Sequence, residues 1–284
     1  MSIYYHNHGT VPIDMSEEGC ALVDWDESFG EYQFAKHPKG FPVFLPPDQL
    51  DACDEYRESD PYGTEAELSD DWQIRRVDCT LDLVRKAVKR IQGTPKILDL
   101  GCGQGHITDR IKQTIPESEV AGLDYSMSAI EYAVDHFSGI DFAVANAYKP
   151  PYAESYFDIV VCNNLWEHVP DPLYMASKIL HVTKPSGFLI ISTPSRYRMD
   201  NLRNVILGKP VTFMSKHHVT EYSVGQVKEQ CRFAGYEVIE VHSKKIKRGS
   251  LLARIAYAIV PLPLHITGSH HQLESTVFFL AQRV

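Results

Sequence analysis

The densest chemistry in the chain lies at Asp99-Leu100-Gly101-Cys102-Gly103-Gln104-Gly105, directly after the apolar residues Ile97 and Leu98. Three glycines at alternate positions, between a short apolar run and helix-forming sequence, predict a buried strand, a tight turn and a helix N-terminus. That arrangement lets backbone N–H groups approach a nucleotide-like ligand. A Cβ in such a turn would hold the ligand away and disfavour positive φ. The spacing then discriminates among ligands. A dinucleotide fingerprint, G-x-G-x-x-G, would need glycine at His106, but the third glycine comes one residue early, which weakens a pyrophosphate reading. A second acid, Asp124, closes the next apolar run Val120-Ala121-Gly122-Leu123. A carboxylate about 20 residues past the glycines suits a ribose diol. Asp99, ahead of the turn, suits a cationic ligand.

Two further groups can move protons. Glu167 and His168 are neighbours in Leu165-Trp166-Glu167-His168-Val169-Pro170-Asp171-Pro172, and His217 and His218 are neighbours before Val219-Thr220-Glu221-Tyr222-Ser223. An imidazole titrating near neutrality can accept the proton of a hydroxyl as it reacts, a contribution of roughly 10²- to 10⁴-fold. Adjacent side chains in extended chain point to opposite sides, so at most one of His217 and His218 can face a given pocket. His6 and His8 have no further ligands nearby and are read as surface residues.

The elements that must position these residues alternate. Strands are expected at 96–101, 119–124, 140–145, 157–163 and 187–193, then at 236–241, with a final strand over 275–284. Val77, Leu81, Val84, Val88 and Ile91 recur at helical spacing from Asp70 until Gly93 and Pro95. A second helix is expected from Ser126, its N-cap, to Phe137, and a third from Ser223 to Ala234, stopped by Gly235. This order implies a parallel sheet with crossover helices on both faces, whose ligands bind at the carboxyl ends of the strands. Asn163 and Asn164 stand at such an end, after Phe157–Cys162. Residues 1 to 60 have no clear period and carry a proline cluster at Phe41–Pro47, which predicts loop-rich chain lying on something else.

With 284 residues and 44% hydrophobic content the chain can bury a sizeable core. Its net charge of −9 argues against general nucleic-acid affinity. Six scattered cysteines without a C-x-x-C pair read as reduced thiols, and Met1-Ser2-Ile3-Tyr4-Tyr5 lacks the pattern of a secretory signal, so a cytoplasmic location is expected. No run has the length of a membrane span. The basic residues Lys244-Lys245-Ile246-Lys247-Arg248 next to apolar Leu251–Val260 could rest on an anionic membrane or grip a lipid-linked acceptor, although a packed helix with solvated cations is the favoured reading.

Taken together, ILDLGCGQG, GLDYS, ANAYKPPYAESYFDIVVCNNLWEHV and KPSGFLIISTPS, in that order over residues 72 to 243, resemble the class I S-adenosylmethionine-dependent methyltransferases. In motif style they are closest to the small-molecule O-methyltransferases of ubiquinone biosynthesis. The resemblance implies a Rossmann-like, doubly wound α/β fold. Its seven-stranded sheet is mostly parallel with an antiparallel last strand, and a loop or helix extension occupies residues 1–69. The domain would span 70–284, with a substrate-side insertion at 194–222 and another at 244–274; Tyr62 and Trp72 resemble part of a lid. It also implies S-adenosylmethionine as cofactor. Gly101, Gly103 and Gly105 would shape the turn under its methionine part, Cys102 and Gln104 would contribute backbone, and Asp99 would lie near the amino group. Asp124 would bind the ribose, Tyr125 would cover the adenine, and Asn146 with Ala147 would border it, with Asn163 nearby. Glu167 and His168 fall where the family places the methyl acceptor, His168 being the first candidate base and one of His217 and His218 the second. Glu167, His168 and one of that pair also faintly resemble the metal group of small-RNA and polyprenyl-benzoate O-methyltransferases. Asn164 replaces an acid found there, so no divalent metal is expected. The implied reaction is methylation, with oxygen favoured, of a small-molecule or lipid-linked acceptor. The rivals are a silent cofactor-binding scaffold and a nicotinamide-dependent oxidoreductase.

Overall fold

In the computed structural model the described residues are 13–14, 35–45, 49, 71–243, 266 and 273–284. The apolar runs form strands β4 (Lys96–Leu100), β5 (Glu119–Asp124), β6 (Asp141–Val144), β7 (Phe157–Asn163), β8 (Thr183–Pro194), β9 (Tyr236–His242) and β10 (Thr276–Arg283). Between them lie helices α1 (Asp71–Val88), α2 (His106–Thr114), α3 (Met127–His136), α4 (Pro172–Val182), α5 (Met199–Ile206) and α6 (Val224–Phe233). The strands β4 to β8 run parallel, and β10 lies antiparallel between β8 and β9. The seven-stranded, doubly wound arrangement expected from the sequence is present.

Its strands read as nearly unbroken apolar runs because both faces are covered. On one face Leu98, Leu100, Val160, Cys162, Leu189 and Ile191 pack with α4, α6 and the buried Trp166. On the other, Ile97, Ile159, Val161, Phe188 and Ile190 pack with Leu83, Val84 and Ala87 of α1 and with Ile107 and Ile111 of α2. The strict alternation of neighbours between the two clusters follows from the two-residue period of a strand. Each such side chain, fully buried, stabilises by roughly 1.5–3 kcal/mol relative to exposure. The helix ends are also set locally. Ser126 caps α3 by accepting from Ala129 N, and Ser223 with Gln226 forms a reciprocal capping box on α6.

Three features depart from the sequence expectation. First, two-residue strands β1 (Ile13–Asp14), β2 (Ala35–Lys36) and β3 (Pro42–Val43) extend the sheet to ten strands beyond β6, so the N-terminal extension contributes sheet as well as loop. Phe41, Val43, Phe44 and Leu45 are buried there, and Phe44 N donates to Val144 O. Second, β8 starts at Thr183, earlier than residue 187. Its register against β7 shifts near Ser186, which has φ 61°, and Lys184 closes the irregularity on Asp158 at 2.9 Å. Third, residues 194–222, for which the sequence predicts no element, include the helix α5. Tyr62, residues 244–260, His6 and His8, and the side chain of Trp72, lie outside the described residues.

Gly122 of β5 sits opposite Phe142 of β6, and a Cβ built on it would stand 2.6 Å from that buried ring and 3.1 Å from Cys102 Sγ. Gly122→Ala is expected to destabilise the chain by about 1–3 kcal/mol through overpacking, read as a lower urea midpoint. An unchanged midpoint would mean that the Phe142 ring yields without cost.

Candidate functional site

The turn after β4 is built as the glycines require. Gly101, Gly103 and Gly105 have φ of 76°, 53° and 82°, and Gly105 caps α2 from the left-handed region. A Cβ on Gly101 would meet Leu165 Cδ2 at 3.0 Å, and one on Gly105 would meet Ala133 and Phe142 at 3.0 Å. Gly101 N and Cys102 N both donate to Leu123 O, which ties the turn to the end of β5. One residue on, Asp124 accepts from Gly103 N through Oδ2 at 2.7 Å and from Ser126 N through Oδ1 at 2.9 Å. Asp124 thus braces the turn and the start of α3 together.

Asp99 is 1% exposed, and its Oδ2 accepts from Thr108 Oγ1 at 2.7 Å. Burial pushes its carboxyl up to about 6; the Thr108 hydrogen bond opposes this and the nearby Asp124 adds to it. The same burial, with Asp124 and Asp99, keeps the Cys102 thiol protonated. Tyr125 is half-buried beside α3, with its hydroxyl donating to Gln49 Oε1 at 3.3 Å. Asn146 Oδ1 accepts from Tyr148 N at 2.9 Å, a local turn that fixes the amide, and Ala147 packs on the core behind it. Asp124, Tyr125, Asn146 and the glycines therefore gather at the carboxyl ends of β4, β5 and β6.

The second half of the site follows β7. Asn163 is nearly buried; its Oδ1 accepts from Thr80 Oγ1 of α1 at 3.2 Å, which leaves Nδ2 without a hydrogen-bond partner among the described residues. Asn164, at φ 51°, is held by Ser192: Asn164 N donates to Ser192 O, and Ser192 Oγ donates to Asn164 Oδ1 at 3.0 Å. Its Nδ2 then donates to Glu167 Oε1 at 3.0 Å. Trp166 anchors the loop by donating to Gln230 Oε1. Glu167 is 0% exposed, and among the described residues its Oε2 has no hydrogen-bond partner of full geometry, the Thr193 side chain exerting only a weaker pull. Burial pushes this carboxyl up to about 7 against the opposing pull of its own backbone N–H, Asn164 and His218.

The insertion joins this loop through the main chain, because Val219 N and Thr220 N both donate to Glu167 O. His218 is thereby set against His168, with ring centroids 4.9 Å apart and planes nearly perpendicular. Ligand atoms of Glu167, His168 and His218 all lie within 4.8 Å of one another. His217 is exposed and its N donates to Ser215 Oγ, so it is outside the group. Sequence reasoning missed Glu221 and Arg198. Glu221 is fully buried and accepts from His218 Nδ1 at 2.9 Å, from Met214 N and from Arg198 Nη1, and Arg198 Nη2 donates to Thr212 O. Burial raises the Glu221 carboxyl, but those donors outweigh it and hold the group below its usual range. The available signal was Glu221 three residues after His218; Arg198, 23 residues away, gave none.

Asp99 supplies a pH test. Its folded pKa of about 6 is raised from 3.8, so the folded state holds the proton more tightly than the unfolded one. Its contribution is most favourable below about pH 4 and is lost as pH rises through 6. Asp99→Asn keeps an acceptor for Thr108 and removes the titration. It should therefore gain on the natural chain between pH 4 and 7, by up to about 3 kcal/mol. Urea unfolding across that range checks this, and a pH-independent difference would contradict it.

Comparison with known proteins gives the family. A family model described as a methyltransferase domain matches residues 92–253. A malonyl-[acyl-carrier protein] O-methyltransferase of Hahella chejuensis is 32% identical over 51% of this chain and 55% of its own length. A ubiquinone/menaquinone biosynthesis C-methyltransferase of Desulfotalea psychrophila is 27% identical over 56% of this chain and 72% of its own. The chain thus spans little more than half of the first of these relatives. A SAM-dependent methyltransferase structure from Archaeoglobus fulgidus superposes with a TM-score of 0.52, at 17% identity, over 79% of this chain and 100% of that one, which shows a shared fold. Since the matched segment covers more than half of the sequence and contains the glycine turn, Asp124 and the Glu167-His168 loop, the chain belongs to the methyltransferase-domain family, of the class I S-adenosylmethionine-dependent kind.

Proposed function

We propose that the protein transfers a methyl group from S-adenosylmethionine to a hydroxyl of a small organic acceptor. The observation that carries this reading is the meeting of two unlike half-sites at one edge of the sheet. One is a left-handed glycine turn lined by Asp99 and Asp124; the other is a group of one buried acid and two half-buried imidazoles. The bound cofactor supplies an activated methyl on a cationic sulfur. Two carboxylates beside the turn suit a cation and disfavour the diphosphate of a nicotinamide dinucleotide, which would bring negative charge toward them. Gly101 and Gly105 let the turn pack against Leu165, Ala133 and Phe142 where a Cβ would collide, and Asp124 stands at the end of β5 to accept from ribose hydroxyls. The buried Nδ2 of Asn163, aimed by Thr80, is a donor for a carboxylate or carbonyl of bound ligand.

What the chain itself must do is hold the acceptor in line with the methyl carbon and keep water out, an effect worth roughly 7–11 kcal/mol in favourable cases. His168 and His218 are the groups able to take the hydroxyl proton, with Glu167 beside them. Oxygen is favoured as the methylated atom because an amine or thiol would need less help from such a group. The acceptor is a free or lipid-linked small molecule; the acidic balance of the chain does not favour nucleic acid. No helix among the described residues is long and apolar enough to cross a membrane. Cys79, Cys102, Cys162 and Cys231 form no disulfide among the described residues, which suits the reducing cytoplasm.

Calorimetry with S-adenosylmethionine, its demethylated product and NAD tests the assignment, with saturable binding expected for the first two. NAD binding alone would overturn it. Asp124→Ala should weaken cofactor binding by about 1.5–3 kcal/mol while circular dichroism stays normal. Labelled-methyl transfer into extracts fractionated by chemical class should mark a hydroxyl-bearing fraction; cofactor binding with no transfer to any fraction would favour a silent scaffold. With that acceptor, His168→Ala should lower turnover by about 10²-fold or more and leave cofactor affinity unchanged, whereas His217→Ala should alter neither.

A further inference from the structure

We infer that the chain leaving β3 forms a further wall of the cofactor site and that Gln49 is a positioning residue for its adenine end, acting through Tyr125. Gln49's part rests on the methyl-transfer reading above, with Tyr125 against the adenine; the wall itself follows from the sheet. Ligands of an open α/β sheet bind beyond the carboxyl ends of its parallel strands. Val43 of β3 pairs in parallel with Val144 of β6, and Phe44 N donates to Val144 O at 2.8 Å. The chain therefore leaves β3 toward the edge where Asp124, Tyr125 and Asn146 gather. Gln49, four residues beyond Leu45, meets Tyr125 there: the phenol hydroxyl donates to Gln49 Oε1 at 3.3 Å, across 76 residues of sequence.

A polar anchor and an apolar one keep this segment in place. Residues 37–41 make a tight turn between β2 and β3, with Gly40 at φ 95° and its N donating to His37 O. From that turn His37 Nε2 reaches Glu131 Oε1 at 3.1 Å, and Lys39 Nζ reaches Asp135 Oδ2 at 2.7 Å. Glu131 and Asp135 stand four residues apart, so they share one face of α3. Polar pairs this open to solvent contribute little, and the larger anchor is apolar. Phe41, Val43 and Leu45 are buried with Ile130 and Ala133 of α3 and with Phe142 and Val144 of β6, and Cys102, Tyr125 and Met127 pack against the same cluster. Phe142 is also the ring against which Gly105 and Gly122 lie. One core thus joins the N-terminal segment, the glycine turn and Tyr125.

A tyrosine ring at the rim of a site turns about its side-chain torsions, and it offers a flat face to a base in only some of those settings. Packing holds the body of the Tyr125 ring and Gln49 holds its hydroxyl, so the orientation is set before a ligand arrives. Preorganisation of this kind removes part of the ordering cost of binding. A half-buried tyrosine that served packing alone would have water for its hydroxyl and would need no amide brought in from a distant strand.

The test is calorimetry of the full chain with S-adenosylhomocysteine and with methylthioadenosine, which keeps the nucleoside and lacks the amino-acid tail. Gln49→Ala should weaken binding of both by about 3- to 10-fold, the effect of losing one neutral hydrogen bond. Gln49→Glu keeps an acceptor for the tyrosine hydroxyl and should restore affinity to within about twofold. Tyr125→Phe should show the same loss, and Gln49→Ala should add nothing in the Tyr125→Phe background, because the two share one bond. Urea midpoints of the variants should stay close to that of the natural chain. Additive losses, unaltered affinity in Gln49→Ala, a midpoint that falls in step with affinity, or a loss for S-adenosylhomocysteine that methylthioadenosine does not share would each overturn the role of Gln49 and leave the methyl-transfer reading standing. A natural chain that binds neither ligand removes that reading, and Gln49's part with it.

Discussion

Everything at the site depends on the parallel strands ending level. Asp99 of β4 lies opposite Gly122 of β5 and Val161 of β7, and Gly122 lies opposite Phe142 of β6. That register brings the glycine turn, Asp124 and the Asn163–Glu167 loop out at one edge of the sheet, where no strand remains to bond their backbone groups. The groups are satisfied instead by side chains and by one another: Leu123 O takes two turn N–H groups, Asp124 takes two more, and Ser192 takes Asn164. The polar network at the edge is a consequence of ending a fully covered sheet, whose backbone donors must find partners somewhere.

The same edge carries buried carboxyls that the fold would do better without. Asp99 and Glu167 both sit in surroundings that favour their protonated forms. Glu221, equally buried, is charged because Arg198, His218 and a backbone N–H surround it. Two solutions to burying an acid therefore stand within one site. Full pairing yields a rigid support, while an incompletely satisfied carboxyl is left in the position from which a ligand can be met. A protein that only needed stability would have used the first throughout.

The strands were legible because coverage on both faces turns them into unmistakable apolar runs, and the helix ends because Ser126, Ser223 and Gly235 act through their immediate neighbours. The glycine turn and its link to Asp124 were legible for the same reason: glycines with positive φ and an acid at a strand end are local signals. The N-terminal strands were not, since two residues are too few to show a period; their burial comes from Phe41 and Phe44 finding β6 and the core in space. Nor could sequence choose between His217 and His218. That choice is made by Val219 N and Thr220 N on Glu167 O, contacts across more than fifty residues. Arg198 and Glu221 escaped notice because a buried ion pair has no sequence pattern until its partners are brought together.

Those two main-chain hydrogen bonds to Glu167 O separate the inheritance of the two halves. The glycine turn is held by β4, β5 and α3, while the Glu167–His168 loop is joined by residues 198–221, hooked on through backbone atoms that any sequence possesses. An insertion of different side chains could hang from the same carbonyl without disturbing Asp124 or the turn it braces. On the methyl-transfer reading proposed above, a chain built this way would exchange the molecule it works on by rewriting one short segment, and a lineage of such proteins would diversify there far faster than in the glycine turn.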